Sequence, residues 1–162
     1  MSKITPCLWF DGQAEEAATF YTGIFKNSRI VETAYYLEAG QEIHGGKQGS
    51  VLTVAFELEG QSFTALNGGP LFKFNEAISL QVDVRTQEEL DYYWNRLGEG
   101  GDPAAHQCGW LKDKFGVSWQ IVPRQLIDML LDKEKTKANR AMAAMLQMKK
   151  LDIARLQAAF NG

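Results

Sequence analysis

Histidine is scarce in this chain. Among 162 residues there are two, His44 and His106, and there are two cysteines, Cys7 and Cys108. Protein sites for zinc and similar metals draw on imidazoles and thiolates set a few residues apart, and these four residues show no such spacing. The two cysteines are so distant in sequence that free thiols in a reducing compartment are expected rather than a bridge. Long apolar runs are missing as well. None approaches the roughly 20 residues that a membrane span needs, and the opening Met-Ser-Lys-Ile-Thr-Pro has no signal-peptide apolar region. The expectation is therefore a cytoplasmic protein with no membrane contact. Basic charge is not in excess either: 17 Lys and Arg stand against 20 Asp and Glu, a net charge of -3. That sign disfavours nucleic acid as a partner. The one basic run, Lys133 to Arg140, includes an acid and reads as a solvated helix face.

What is present is ample material for a core. With 45% hydrophobic and 11% aromatic residues, the composition is that of a folded globular chain, and the length suits one domain rather than two ordinary ones. The stretch Cys108-Gly-Trp-Leu-Lys-Asp-Lys-Phe-Gly-Val-Ser-Trp-Gln-Ile-Val-Pro123 predicts two antiparallel strands joined by a tight turn at Asp113 to Gly116. In its second limb Val117, Trp119 and Ile121 alternate with Ser118 and Gln120, the period of a half-buried strand. Val54 to Leu66 has the same form, with Gly60 matching Gly116, Phe63 matching Trp119 and Thr64 matching Gln120. A duplicated unit is implied.

The rest of the chain agrees with a duplication. Ile4 to Phe10 alternates as a strand, with Ile4, Pro6, Leu8 and Phe10 on one face and Thr5, Cys7 and Trp9 on the other. A helix follows with an apolar stripe of Ala17, Phe20, Tyr21, Ile24 and Phe25, and Asn27 is its expected left-handed stop. Arg29 to Leu37 predicts a strand. Glu38 to Ser50, with four glycines around His44, predicts a mobile connection without an element. In the second half, Ala77 to Val84 repeats the first strand. Thr86-Gln-Glu-Glu89 is a capping box, and Leu90, Tyr93, Trp94 and Leu97 repeat the helical stripe. Gly98 to Ala105 carries turn residues with room for a short strand. After Pro123 the pattern is helical over Arg124–Leu131, from Glu134 or Lys135 to Gln147, and over Ile153–Phe160, with Asp152 as a cap. Met129, Met142, Met145 and Met148 give this tail a soft apolar surface, suited to core or dimer packing.

Two strand-helix-strand-strand-strand units resemble the vicinal oxygen chelate (glyoxalase/bleomycin resistance/dioxygenase) superfamily. Trp9-Phe-Asp-Gly12, Glu15-Glu-Ala-Ala-Thr-Phe-Tyr21, Ala65-Leu-Asn-Gly-Gly-Pro70, Ala77-Ile-Ser79 and the 109–123 hairpin are similar to its PhnB-like branch, which often carries a demethylubiquinone methyltransferase label. The resemblance implies an α+β fold of two βαβββ modules, residues 1–70 and 71–123, with a helical extension at 124–162. It also implies a homodimer, since members commonly complete their clefts by pairing modules within or between chains. No strand-turn-helix glycine signature of a nucleoside-binding fold accompanies the methyltransferase label, so that activity is not expected.

Metal-dependent members place His, Glu or Gln on the first strand of each module and Glu on the last. The matching positions here are Thr5, Thr64, Ser79 and Gln120. Three hydroxyls and one amide neither neutralise nor tightly hold a divalent cation, so no metal and no other cofactor is expected. The polar strand faces gather Thr5, Cys7, Trp9, Thr64, Leu66, Ser79, Gln81, Asp83, Ser118 and Gln120. An aromatic wall with a few hydrogen-bonding groups is the make-up of a small-molecule cleft, and equally of a filled cavity or a subunit contact. Cys7 could serve as a nucleophile or simply fill space, and Asp83 could act as a base or remain solvated. Trp110 and Lys112 are candidates for the rim. The expectation is a PhnB-like protein that binds a small organic molecule in a metal-free cleft. The alternatives are a metal-dependent lyase or dioxygenase of the same superfamily, and a non-catalytic dimeric interaction module.

Overall fold

Alternation at the start of the chain sends Leu8 and Phe10 inward from strand β1 (Cys7–Phe10), but the strand begins three residues later than the pattern suggested. Ile4, expected inward, is 78% exposed, and Cys7 at the strand's first position is exposed rather than filling space. The protein is described here from a computed structural model covering residues 2–162. These residues divide into two compact units, the first ending at Phe74 and the second running Asn75–Gly162.

In the first unit β1 is followed by helix α1 (Ala14–Thr22), strand β2 (Arg29–Tyr35), a one-turn helix α2 (Gln41–His44), and strands β3 (Val51–Leu58) and β4 (Gln61–Asn67). The sheet order is β1-β4-β3-β2, with β1 parallel to β4 and the other pairs antiparallel. One face packs on α1. Ala14, Ala17, Ala18 and Tyr21 are fully buried there, and the three alanines at helical spacing let the helix axis approach the sheet closely. Phe20 and Phe25, expected in the stripe, are only half-buried, because the small residues take the deepest positions. Tyr21, Phe56 and Phe63 stack in series, with centroids 6.1 and 5.3 Å apart. Asn27 is left-handed, with φ 48°, but α1 has already closed at Thr22, so Asn27 turns the chain into β2 instead. The β3–β4 hairpin closes on Glu59 and Gly60, both at positive φ, which is the two-residue turn whose twist suits paired strands.

The connection expected between 38 and 50 holds an element after all. Gly40 and Gly45, both left-handed, bracket the single turn of α2, since glycine reaches that conformation without a Cβ penalty.

The second unit runs β5 (Leu80–Val84), α3 (Gln87–Gly98), a 3₁₀ turn (Pro103–Ala105), β6 (Trp110–Lys112) and β7 (Ser118–Pro123). Its sheet has the order β5-β7-β6, with β5 and β7 parallel. All four residues of the predicted α3 stripe are buried. The Thr86 hydroxyl accepts the Glu89 amide at 3.1 Å, and the Glu89 carboxylate accepts the Arg85 amide at 3.1 Å, so the capping box reaches one residue further back than its usual form. β5 begins three residues later than the alternation suggested, and Ile78 is 66% exposed. The strand allowed for between Gly98 and Ala105 is the 3₁₀ turn instead. Pro103 lacks an amide for a ladder, and Asp102 Oδ1 accepts the Ala104 amide at 2.9 Å to start the turn.

Helices α4 (Arg124–Leu130), α5 (Lys135–Leu146) and α6 (Ile153–Asn161) form the tail, and Asp152 caps α6 by accepting the Arg155 amide at 3.0 Å. The α5–α6 connection is laced into the second unit. Cys108 and Gly109 amides donate to the Met148 and Lys149 carbonyls, each at 2.8 Å. Gln87 of α3 donates to the Leu151 carbonyl at 3.1 Å and accepts the Ile153 amide at 2.9 Å. Of the tail methionines, Met129 and Met148 are buried, Met145 is half-buried and Met142 is exposed. Among the described residues no helix is long and apolar enough to cross a membrane.

Candidate functional site

One face of each sheet packs on a helix, α1 in the first unit and α3 in the second, and strand register fixes what the opposite face carries. In the first unit Cys7 pairs with Thr64 and Trp9 with Leu66 across β1 and β4, while Thr64 pairs with Ala55 and Leu66 with Thr53 of β3. Partners in a ladder share a face. Cys7, Trp9, Thr64 and Leu66 therefore lie together, opposite the face packed on α1. Thr5 lies outside β1 and is exposed. In the second unit Gln81 pairs with Gln120 and Asp83 with Val122, while Trp110 and Lys112 of β6 pair with Gln120 and Ser118. Trp110 and Lys112 thus join Gln81, Asp83, Ser118 and Gln120 on one face, which settles their facing.

Local partners decide what each side chain is free to do. The Gln120 amide donates to Ser79 Oγ at 2.9 Å, and the Gln81 amide donates to Asp83 Oδ1 at 2.8 Å. Asp83 is exposed. Lys112 pairs with Glu76, whose carboxyl it holds below the usual carboxylate range. Ser118 is 2% exposed and its hydroxyl has no protein partner. Cys7 is exposed as a residue, yet desolvation around its thiol pushes the pKa up, which favours the thiol over the nucleophilic thiolate. Trp9 is engaged in the protein's own packing. Its indole N–H donates to the Gly69 carbonyl at 2.9 Å, its ring meets Phe72 edge-on with centroids 4.8 Å apart, and a Cβ on Gly68 would come within 2.3 Å of it.

The four positions matching the superfamily's metal ligands do not fit a divalent cation. Thr5, Thr64, Ser79 and Gln120 offer only neutral oxygens, and Ser79 and Gln120 already satisfy one another. A Lewis-acidic metal needs anionic or imidazole donors to offset its desolvation.

A feature not read from the sequence lies within the first unit. A cavity of about 600 Å³ is lined by Asp11, Glu15, Tyr36, His44, Asn67 and Gly69 among others. Tyr36 and His44 rings stack with centroids 4.6 Å apart. The Tyr36 hydroxyl donates to the Asn67 carbonyl. His44 Nδ1 accepts the Gly46 amide at 2.9 Å, and Nε2 lies 3.1 Å from the Ala39 carbonyl, so both ring nitrogens are occupied by backbone groups. Asn67 accepts the first amide of α1, from Ala14, at 2.9 Å and donates to the Val51 carbonyl at 3.1 Å. The signals for this cavity were in the sequence as Asp11-Gly12 and Asn67-Gly-Gly-Pro70, where they look like ordinary chain breakers.

The profile of the family described as 3-demethylubiquinone-9 3-methyltransferase matches residues 2–122. The chain belongs to that family. Among solved structures it is similar to the PhnB protein of Bacillus cereus, which carries the same methyltransferase name. The identity is 39% over 75% of this chain and 99% of that one, with a TM-score of 0.63. Protein PA1353 of Pseudomonas aeruginosa (18% identity, 76% and 98% of the two chains, TM-score 0.60) shares the fold. So does the fosfomycin resistance protein FosX of Listeria monocytogenes (13%, 81% and 98%, TM-score 0.54). A comparison with curated proteins gives no match.

These likenesses place the chain in the PhnB-like branch of the vicinal oxygen chelate superfamily. The segments that carry the PhnB-like resemblance do not all fall on the strand faces. Asp11 and Gly12, Glu15, and Asn67, Gly69 and Pro70 belong to three of those segments, and all six line the cavity of the first unit.

Proposed function

We propose that this PhnB-like protein is a metal-free binder of a small organic molecule, held on one of the strand faces that lie opposite the packed helices, and that it works in the cytoplasm as a homodimer. The observation that carries the reading is the composition of those faces. Leu66, Thr64, Trp110, Gln120 and Val122 are half-buried while their strand neighbours Ala65, Leu111, Trp119 and Ile121 are buried. Partly exposed aromatic and aliphatic groups beside a few fixed hydrogen-bonding groups are what small-molecule sites present. The unpartnered Ser118 hydroxyl lies on the same face as Gln120 and supports a polar group in that molecule, since a buried hydroxyl without a partner is costly.

The methyltransferase name finds little support in the chain's loops. Gly68 and Gly69 lead into Pro70, and Gly45 and Gly46 lie between α2 and β3, so neither glycine pair sets helix amides against a nucleoside phosphate or sugar. The tail helices, laced to Gln87 and Cys108, support their role as part of the second unit over that of a separate docking surface.

Thermal-shift and calorimetric titration against metabolites and aromatic compounds test the reading. A hit whose affinity falls about tenfold or more in Gln120→Ala, with unchanged unfolding midpoint, is the expected result. Stoichiometric Ni, Zn, Mn or Fe in protein purified without chelators would overturn the metal-free part. Co-purification of a second polypeptide with no small-molecule hit would favour the interaction module. Trp9→Ala is expected to lower stability together with any binding, because Trp9 packs against Gly68, Gly69 and Phe72.

A further inference from the structure

We infer that the cavity of the first unit is a binding site in its own right, for a small molecule bearing a primary ammonium group. None of Thr5, Cys7, Trp9, Thr64 or Leu66 lines it, so it is separate from the strand-face site proposed above. Its volume, about 600 Å³, is in the range of small-ligand pockets.

The residues around it divide into those with a structural task and those without. Asn67 ties the start of α1 to β3, Gly69 receives the Trp9 indole, and Tyr36 and His44 hold one another and the flanking backbone. Gly46 lets the chain pass against Tyr36, since a Cβ there would come within 2.5 Å of the ring. Asp11 and Glu15 have no such task. Both are exposed and neither makes a side-chain hydrogen bond or an ion pair, although they belong to two of the segments that mark the PhnB-like resemblance.

The sign of the ligand follows from the lining. Two carboxylates face the cavity, no lysine or arginine lines it, and both ring nitrogens of His44 are engaged by backbone groups. The first amide of α1, which could otherwise attract an anion, is taken by Asn67. Carboxylates offer only acceptors, so the matching ligand group is a cation with several N–H donors, and an ammonium supplies three.

The test uses the full chain with 1,4-diaminobutane as probe and uncharged 1,4-butanediol as its match in length. Backbone amide shifts of His44, Gly45 and Gly46 are expected to move saturably with the diamine and not with the diol. The pair Asp11→Asn with Glu15→Gln should weaken the diamine about tenfold or more while leaving the rest of the spectrum in place. Gln120→Ala should leave diamine affinity unchanged, which keeps this result independent of the strand-face proposal. Equal binding of the diol, undiminished diamine binding in the carboxamide pair, loss of it in Gln120→Ala, or no saturable shift at these three amides would each overturn the assignment.

Discussion

Asp113 is a carboxylate 3% exposed to solvent, and it organises the hairpin that leads into β7. Oδ1 accepts the Phe115 and Val117 amides at 2.9 and 3.0 Å, and Oδ2 accepts the Trp119 indole N–H at 2.9 Å. Removing it leaves three buried or half-buried donors without a partner, so Asp113→Ala is expected to cost about 3 kcal/mol in urea unfolding. A loss under about 1 kcal/mol would mean that water reaches the turn. The turn itself was legible in the sequence from Asp113 and Gly116, but the indole contact was not, because nothing local links a turn carboxylate to the ring six residues on. His106 makes a second prediction at this scale. Burial, with the Lys149 ammonium adding to it, holds its pKa below the ordinary 6.5, against the smaller opposing pull of Asp102. The folded state thus binds the proton less readily than the unfolded chain. The resulting stability is complete above the unfolded value of 6.5 and is lost as pH falls through the lower folded pKa. Thermal midpoints should therefore drop on acidification from about pH 7.5 to 5.5, and His106→Gln should flatten that slope. An unchanged slope in the variant would assign the acid sensitivity elsewhere.

Helix α3 shows which parts of an element a sequence declares. Its cap and its stripe of Leu90, Tyr93, Trp94 and Leu97 involve residues three or four apart, so they could be read directly and the structure agrees. Thr86→Ala is expected to cost about 1 kcal/mol, the usual worth of a hydroxyl cap. The other face of α3 could not be read this way. Gln87 holds the tail from 64 and 66 residues away, and a glutamine at a helix start carries no mark of such a partner. Asp91 adds an ion pair to Lys150 at 2.9 Å. Its carboxyl lies below the ordinary range, through hydrogen bonds from Gln87 first and Lys150 second. Gln87→Ala strands the Ile153 amide and the Leu151 carbonyl, so amide hydrogen exchange should quicken across Leu151–Leu156 by about tenfold or more, with less change in β5 and β7. Equal acceleration in both places would mean that tail and sheet open as one body. The segment 38–50 failed in the opposite direction. Its glycines signal a break, and only their left-handed geometry reveals that two of them are the ends of a helical turn.

For the molecule as a whole, duplication was the strongest message in the sequence, because matched turns at Gly60 and Gly116 and matched helical stripes recur in order. The fold follows from that repeat, and the composition of the strand faces follows from alternation. The cavity of the first unit does not, since its lining comes from loops whose residues meet only once the strands have paired. The edge of the first sheet bears on the proposed assembly. β2 pairs with β3 alone in its sheet, has no proline, and carries Ile30, Val31 and Tyr35 at 41, 46 and 51% exposure, with Leu37 just beyond at 74%. An apolar edge strand invites another chain, although register shifts between Ile30 and Glu32 and between Ala34 and Tyr35 bend this one at two places. If the proposed homodimer covers this strand, sedimentation equilibrium will give about twice the 18.1 kDa chain mass, and Val31→Lys will shift the mass toward that of one chain by placing a desolvated charge at the contact. A doubled mass that survives the substitution would move the contact to another surface, and a single-chain mass for the unaltered protein would remove the dimer from the proposal.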